Sequence, residues 1–233
     1  MEHEVTRLRA ALFALTLAAV PAAAQVGYEP AKSPYRDLPW KQSFGVFAGG
    51  FDTGDDPAGV GPQPGFLTGV RYDLRIGGPV SLVVRAAAAP TSRRVLDPSK
   101  PAATRYIGDQ ESQLFAGDLG IAMNLTGQKS WHRLAPVLSG GVGMVSDFRG
   151  TPDDGGYRFG TRFLFTWGLG VRYHTEGRWE PRVDFTNYLW QLQYPPAYRQ
   201  DASDGSPAIV SGKKAPWMGN HLWSVGLSYQ LFR

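Results

Sequence analysis

The sequence predicts an all-β fold: an eight-stranded antiparallel β-barrel of up-and-down topology that crosses a membrane with its apolar face outward. Three observations carry this expectation. Apolar and polar residues alternate with a period of two in about eight stretches between residues 42 and 232. The connections between these stretches run long, short, long, short, long, short, long. The polar faces combine arginine with glycine and serine, a composition suited to a crowded interior rather than to a solvated outer surface.

The chain opens with a segment of different character. Arg7 and Arg9 precede an apolar run over residues 10–20, Pro21 interrupts it, and Ala22, Ala23 and Ala24 follow. A basic start, a short apolar core and a small-residue site predict a secretory signal peptide at residues 1–24, cleaved after Ala24. The run is far shorter than the ~20 residues a membrane helix needs, and no later stretch approaches that length. Residues 25–40, with three prolines, read as an irregular N-terminal segment on the periplasmic side, and residues 41–233 as the barrel domain.

The strands follow in order. Residues 42–51 are strand-like with ambiguous facing. Residues 66–76 set Phe66, Thr68, Val70, Tyr72, Leu74 and Ile76 against Leu67, Gly69, Arg71, Asp73 and Arg75. A helix would scatter those charges around its circumference. Gly77, Gly78 and Pro79 form a tight turn, and residues 80–88 repeat the pattern with Arg85 on the polar face. Residues 113–125 place Phe115, Leu119, Ile121 and Met123 opposite Asp118 and Gly120, and residues 134–146 place Leu138, Val142 and Met144 opposite Ser139, Gly141 and Gly143. Residues 159–173 form the strongest strand, Phe159 through Tyr173 on one face and Arg162, Gly168, Gly170 and Arg172 on the other. Residues 181–189 carry Arg182 and Asp184 on the polar face, with Asn187 a blemish on the apolar one. Residues 221–231 close the series.

Which face is wet decides between a soluble and a membrane barrel. Aromatic residues gather at the strand ends of the apolar faces: Trp131, Tyr173, Trp179 and Tyr229 on the turn side, and Phe51, Phe66, Phe115, Phe159 and Trp190 on the loop side. Such girdles belong at membrane interfaces, and strands of ~10 residues match the ~9–11 needed to cross. The mean hydropathy of −0.25 therefore describes polar residues hidden in a lumen, with apolar ones at every second position.

The closing stretch SVGLSYQLFR is similar to the C-terminal insertion signal of outer-membrane barrels, with Ser224, Gly226, Tyr229, Leu231 and Phe232 in its positions, although Arg233 follows the Phe on which many relatives end. Across residues 42–232 the chain resembles the eight-stranded outer-membrane barrels of the OmpA, OmpX and OmpW type. The resemblance implies a monomer in a bacterial outer membrane, in contact with its lipid and lipopolysaccharide, delivered by periplasmic chaperones and inserted by the barrel-assembly machinery. It implies no particular activity, because such barrels host many functions.

Nine ionisable residues fall on the lumen side: Arg71, Asp73, Arg75, Arg85, Asp118, Arg162, Arg172, Arg182 and Asp184. Buried charges must be paired or solvated. The turn at 77–79 sets Arg71 opposite Arg85 with Asp73 diagonal to it, Asp118 is within reach of Arg85, and Arg172 faces Arg182 with Asp184 diagonal. Arg85 is the expected centre. One reading is a salt-bridged filling of the barrel; the other is a narrow, gated path for small anionic or apolar solutes, favoured by six Arg against three Asp.

Other chemistry is thin. With no cysteine, the chain has no disulfide scaffold, thiolate metal site or catalytic thiol. A lipid A-modifying hydrolase, the third reading, needs a nucleophile and a histidine on one face. His221 and Ser224 are three apart and so face opposite ways, and His174 and Glu176 share a face at a turn without a nucleophile. The expectation is a non-enzymatic protein with no cofactor and no nucleic-acid partner. Asp52, Asp55, Asp56, Asp153 and Asp154 in the loops could hold a divalent cation or simply be solvated, and Arg93, Arg94, Lys213 and Lys214 could reach lipopolysaccharide phosphates.

Overall fold

Among the described residues ten β-strands follow one another: β1 (Tyr35–Asp37), β2 (Gln42–Asp52), β3 (Gly65–Gly77), β4 (Val80–Leu96), β5 (Tyr106–Asn124), β6 (Lys129–Trp131), β7 (Leu134–Ser146), β8 (Thr161–Tyr173), β9 (Trp179–Gln191) and β10 (Trp217–Phe232). The computed structural model describes residues 33–232 except 39, 150, 203 and 212–214. The predicted signal peptide, Lys213, Lys214 and Arg233 therefore lie outside the described residues. Tyr35–Arg233 form one compact unit; of the other, Met1–Pro34, only Ser33 and Pro34 are described.

Eight strands close into an antiparallel barrel in the order β2, β3, β4, β5, β7, β8, β9, β10, and β10 pairs back onto β2 from His221↔Asp52 to Phe232↔Gln42. Closure removes the unpaired sheet edges that an open sheet would present. The strand count and topology are those expected from the alternation. Short turns join strands at one rim, where Gly78 adopts φ 52°; long loops join them at the other.

Two extents differ from the sequence reading. The expected loop over 90–110 is largely strand: β4 and β5 stay in register out to Val95↔Gly108 and, after a register shift, pair again at Leu96↔Tyr106, so this hairpin projects beyond the wall as a two-stranded ribbon. Its polar alternation (Thr91, Arg93, Gln110, Ser112) hides the ladder, because a ribbon with no continuous apolar face carries a weak strand signal. The predicted N-terminal segment is ordered at its end: Tyr35–Asp37 pair with Trp131–Lys129, and β6 touches β7 at Trp131↔Leu134.

Facing follows parity along the barrel strands except at the end of β10, where the register shifts between Gln230 and Phe232. Val46, Val70, Val84, Leu119, Ile121, Leu138, Val142, Leu169, Val171 and Val225 are all exposed on the outside. β2 resolves with Ser43, Phe47 and Phe51 inward and Phe44 and Val46 outward. The blemish Asn187 faces out but is 7% exposed; its Nδ2 lies 3.1 Å from His221 Nδ1, and His221 stacks on Phe185.

The loop-side girdle is partly corrected. Phe66 and Phe115 point outward as expected, but Phe51, Phe159 and Trp190 are buried inside, Trp190 within ring contact of both Phe51 and Phe159. Phe51 and Trp190 share parity with inward residues of their strands, and Phe159 precedes β8, where parity no longer applies. Phe148, Phe163 and Trp217 stand exposed on the loop side instead. On the turn side Trp131, Tyr173 and Trp179 are exposed as expected, and Trp179 meets Tyr229 at 4.9 Å.

Candidate functional site in the barrel lumen

The lumen is built in layers set by inward parity. Near the middle, Arg71 and Asp73 of β3 form a bidentate pair, with Nε–Oδ2 at 2.7 Å and Nη2–Oδ1 at 2.8 Å. Asp73 also receives Arg172 of β8 at 3.3 Å and lies 3.6 Å from Arg182 of β9. Arg182 in turn grips Asp184 at 2.6 and 2.7 Å. Gly170 makes room for this pair, since a Cβ there would stand 2.2 Å from Asp184 Oδ1.

Arg85 of β4 forms a second unit. It is directly opposite Asp118 in the ladder and bonds to it at 2.8 Å, while its Nη2 and Nη1 reach Thr166 at 3.0 Å and Thr186 at 3.3 Å. These donors and acceptors all come from different strands, so the barrel must be closed before the network exists.

The expected hub is therefore displaced. Asp73, contacted by three arginines, is the shared centre, and Arg85 serves Asp118 alone among the carboxylates. Arg71 does lie opposite Arg85 and Arg172 opposite Arg182 in register. Like charges so placed repel, and each arginine turns to a carboxylate instead. Two of the nine residues sit apart. Arg162, at the loop end, donates to the Arg158 carbonyl at 3.1 Å and lies over the Phe159 ring. Arg75, at the turn end, donates to the Leu38 carbonyl at 2.7 Å.

Several members escape the sequence reading. Glu180 is fully buried, 3.0 Å from His174 and 3.7 Å from Arg172. It shares parity with Arg182 and Asp184 but lies one residue before the alternating stretch 181–189, in a strand that begins at Trp179. Thr166 and Thr186 stand at polar-face positions but carry no charge to draw notice. Trp40, buried at 2%, has no periodic signal at all.

Above the ionic layer the lumen turns apolar. Leu67, Leu114, Leu164, Leu222, Phe51, Phe159, Tyr188 and Trp190 pack into one cluster that continues into the loops through Val60, Leu192, Tyr157, Tyr194, Tyr198 and Val210. The loop acids have partners here. Asp56 accepts the backbone N–H of Ala58 at 2.9 Å and of Gly61 at 2.6 Å, and the Tyr194 hydroxyl. Asp153 accepts Arg93 at 2.6 Å and the Tyr157 N–H at 2.8 Å. Among the described residues no group of three or more His, Asp or Glu could hold a metal. Burial raises the Tyr157, Tyr194 and Tyr198 phenols above their usual range, Tyr194 further through its bond to Asp56. Arg93 is buried and unavailable to a ligand, whereas Arg94 is exposed, its guanidinium over Tyr106.

The outer surface and the lumen together are the inverse of a soluble protein, with a continuous apolar exterior around a charged interior. Residues 10–230 match the family model described as the outer membrane protein beta-barrel domain. The chain belongs to this family. Its place is the bacterial outer membrane, where such barrels keep short turns on the periplasmic side and long loops outside. Among solved structures it is similar to Neisserial surface protein A, at 12% identity over 85% of this chain and 98% of that one, with a TM-score of 0.46. It is also similar to OprG of Pseudomonas aeruginosa, at 11% identity over 83% and 98% with a TM-score of 0.46. Ail of Yersinia pestis, in a phospholipid nanodisc, gives 11% identity over 81% and 98% with a TM-score of 0.39. No curated protein matches the chain.

Within the barrel the last strand shows what its motif positions do. Ser224 and Gly226 face the lumen, and Tyr229, Leu231 and Phe232 face outward. His221 and Ser224 lie on opposite faces.

Proposed function

We propose that this barrel is a closed outer-membrane protein that acts through its surface loops, with the lumen filled rather than conducting. The observation that carries this is the filling itself: buried Arg–Asp pairs through the middle, followed by an apolar and aromatic cluster reaching into the loops. The projecting β4–β5 ribbon supports the surface role. Beside it lies a groove of about 890 Å³ lined by Thr91, Ser92, Glu111, Gln113, Phe148 and Arg149. Lipopolysaccharide is the partner we assign to this side, with Arg94 and Arg149 as its phosphate contacts, and folding proceeds through periplasmic chaperones and the barrel-assembly machinery to a monomer. The predicted signal peptide, cleaved after Ala24, supplies the export step.

Planar-bilayer recording of the refolded protein tests the closed lumen: no stable conductance is expected from wild type or from Arg85→Ala. Steady anion-selective current in either supports the channel reading instead. That reading draws on the arginine excess, which Glu180 reduces. Binding to a lipopolysaccharide-coated sensor should fall when Arg94 and Arg149 are both changed to Gln; unchanged binding overturns that contact.

A further inference from the structure

Strand order gives the N-terminal segment a specific path. In the ring of eight, β2 lies diametrically opposite β7. Residues 35–37 are held on the β7 side through β6, and Leu38 N–H bonds to the Gln128 carbonyl at 3.1 Å. Three residues later Lys41 N–H bonds to the Phe232 carbonyl at 3.0 Å, and the Lys41 carbonyl accepts Arg75 N–H at 2.9 Å. Leu38 and Lys41 are thus anchored at opposite walls of the turn-side mouth.

What they cover is cationic. Trp40 is 2% exposed and packs with Leu38 and Ala135. The guanidiniums of Arg75 and Arg172 both lie over its ring, at 4.9 and 5.1 Å from the centroid. Among the described residues Arg172 is shared by Asp73 and Glu180, but Arg75 has no carboxylate within ion-pair distance. Its acceptors are the Leu38 carbonyl and the π-face of Trp40. Leu38 and His174 separate two spaces. A hollow of about 220 Å³, lined also by Arg36, Arg133 and Gln230, lies to one side. On the other is a void of only about 10 Å³ against Trp40, Arg75 and Arg172, room for about one water.

We propose that Leu38 and Trp40 form a displaceable plug occupying an oxyanion site at the periplasmic mouth. The carbonyl of Leu38 and the indole of Trp40 supply to Arg75 and Arg172 the electron density that a phosphate or sulfate would otherwise supply. With the indole withdrawn, Arg75 retains among the described residues only its bond to the Leu38 carbonyl, and the rest of its fork is open to a ligand with Arg172 beside it. Arg75 and Arg172 stand on the inward parity of β3 and β8, away from the lipid face, so the ligand is a free inorganic or solute oxyanion. The inference stands apart from what the loops bind and from whether the lumen conducts.

The test is calorimetric titration of the full mature protein, refolded in uncharged detergent, with sodium sulfate and with inorganic phosphate. Trp40→Ala and, as a variant that keeps apolar packing, Trp40→Leu should bind at least roughly tenfold more tightly than wild type. Adding Arg75→Gln to either should abolish the gain. A refolded Trp40 variant that binds no better than wild type overturns the proposal. So does a double variant that binds as well as the single one. A parallel titration with phosphatidic acid in the same micelles separates lipid headgroups from free anions, and tighter binding of the lipid alone overturns the free-anion assignment.

Discussion

At the residue scale the lumen depends on a few side chains with many partners. Asp73 is 0% exposed and faces Arg71, Arg172 and Arg182. Removing one member of a buried ionic cluster leaves the others uncompensated, at a cost of ~3–5 kcal/mol. Asp73→Ala is expected to destabilise the barrel by that amount in urea unfolding from lipid vesicles followed by tryptophan fluorescence, and Arg162→Ala, outside the network, by much less. Gly170→Ala sets a methyl against the Asp184 carboxylate. It should weaken the Arg182–Asp184 pair and cost ~1–3 kcal/mol, since overpacking a filled interior forces side chains off their preferred geometry. A Gly170→Ala protein as stable as wild type would mean that the carboxylate relaxes without losing Arg182. These residues were legible as types: an arginine or aspartate on the face opposite Phe and Val must point inward. Their pairing was legible only for Arg85 with Asp118 on neighbouring strands; Asp73 joins Arg172 across strands far apart in sequence, and alternation within a strand says nothing about strands that meet only on closure.

At the element scale the loops behave as a packed cap rather than as solvated connections. Tyr157, Tyr194 and Tyr198 approach one another at about 6.2–6.3 Å and join the apolar cluster inside the rim. Burial raises the pKa of each phenol, foremost by desolvation of the phenolate. A group whose folded pKa lies above its unfolded value gives stability that is complete below the unfolded pKa, about 10 for tyrosine, and lost as pH climbs through the folded value. The near-ultraviolet dichroism of the cap should therefore decline above pH ~10, while the far-ultraviolet strand signal persists because the wall carries none of these phenols. Simultaneous loss of both signals would show that cap and wall unfold as one unit. The extended β4–β5 ribbon and the small β1–β6 pairing are the elements sequence pattern misses. One is polar on both faces, and the other is only three residues long, below the length at which a period of two can be recognised.

At the scale of the whole molecule, orientation is the property to test. Leu169 and Val171 lie on the exposed outer face of β8 and Tyr173 at its turn-side end. An arginine on the lipid face costs ~2–4 kcal/mol near the midplane and ~0–1 kcal/mol near an interface. Leu169→Arg should therefore destabilise the vesicle-inserted barrel several times more than Tyr173→Arg. Equal costs would contradict a membrane belt centred on the middle of β8.

The sequence by itself determined the class of fold, the strand number, the location and the inward direction of most charges. All four follow from a local rule, the period-two alternation set against lipid, which needs no knowledge of neighbours. Only the tertiary structure decided which charges meet beyond Arg85 and Asp118, that Asp73 rather than Arg85 is their centre, that Glu180 joins them, that Phe51 and Trp190 fill the lumen instead of girding it, and that Trp40 is buried at its mouth. Each of these depends on closure. Pairing β10 with β2 brings residues nearly two hundred positions apart into one cross-section, where the identity of a contact is set by register and ring geometry rather than by any pattern along the chain.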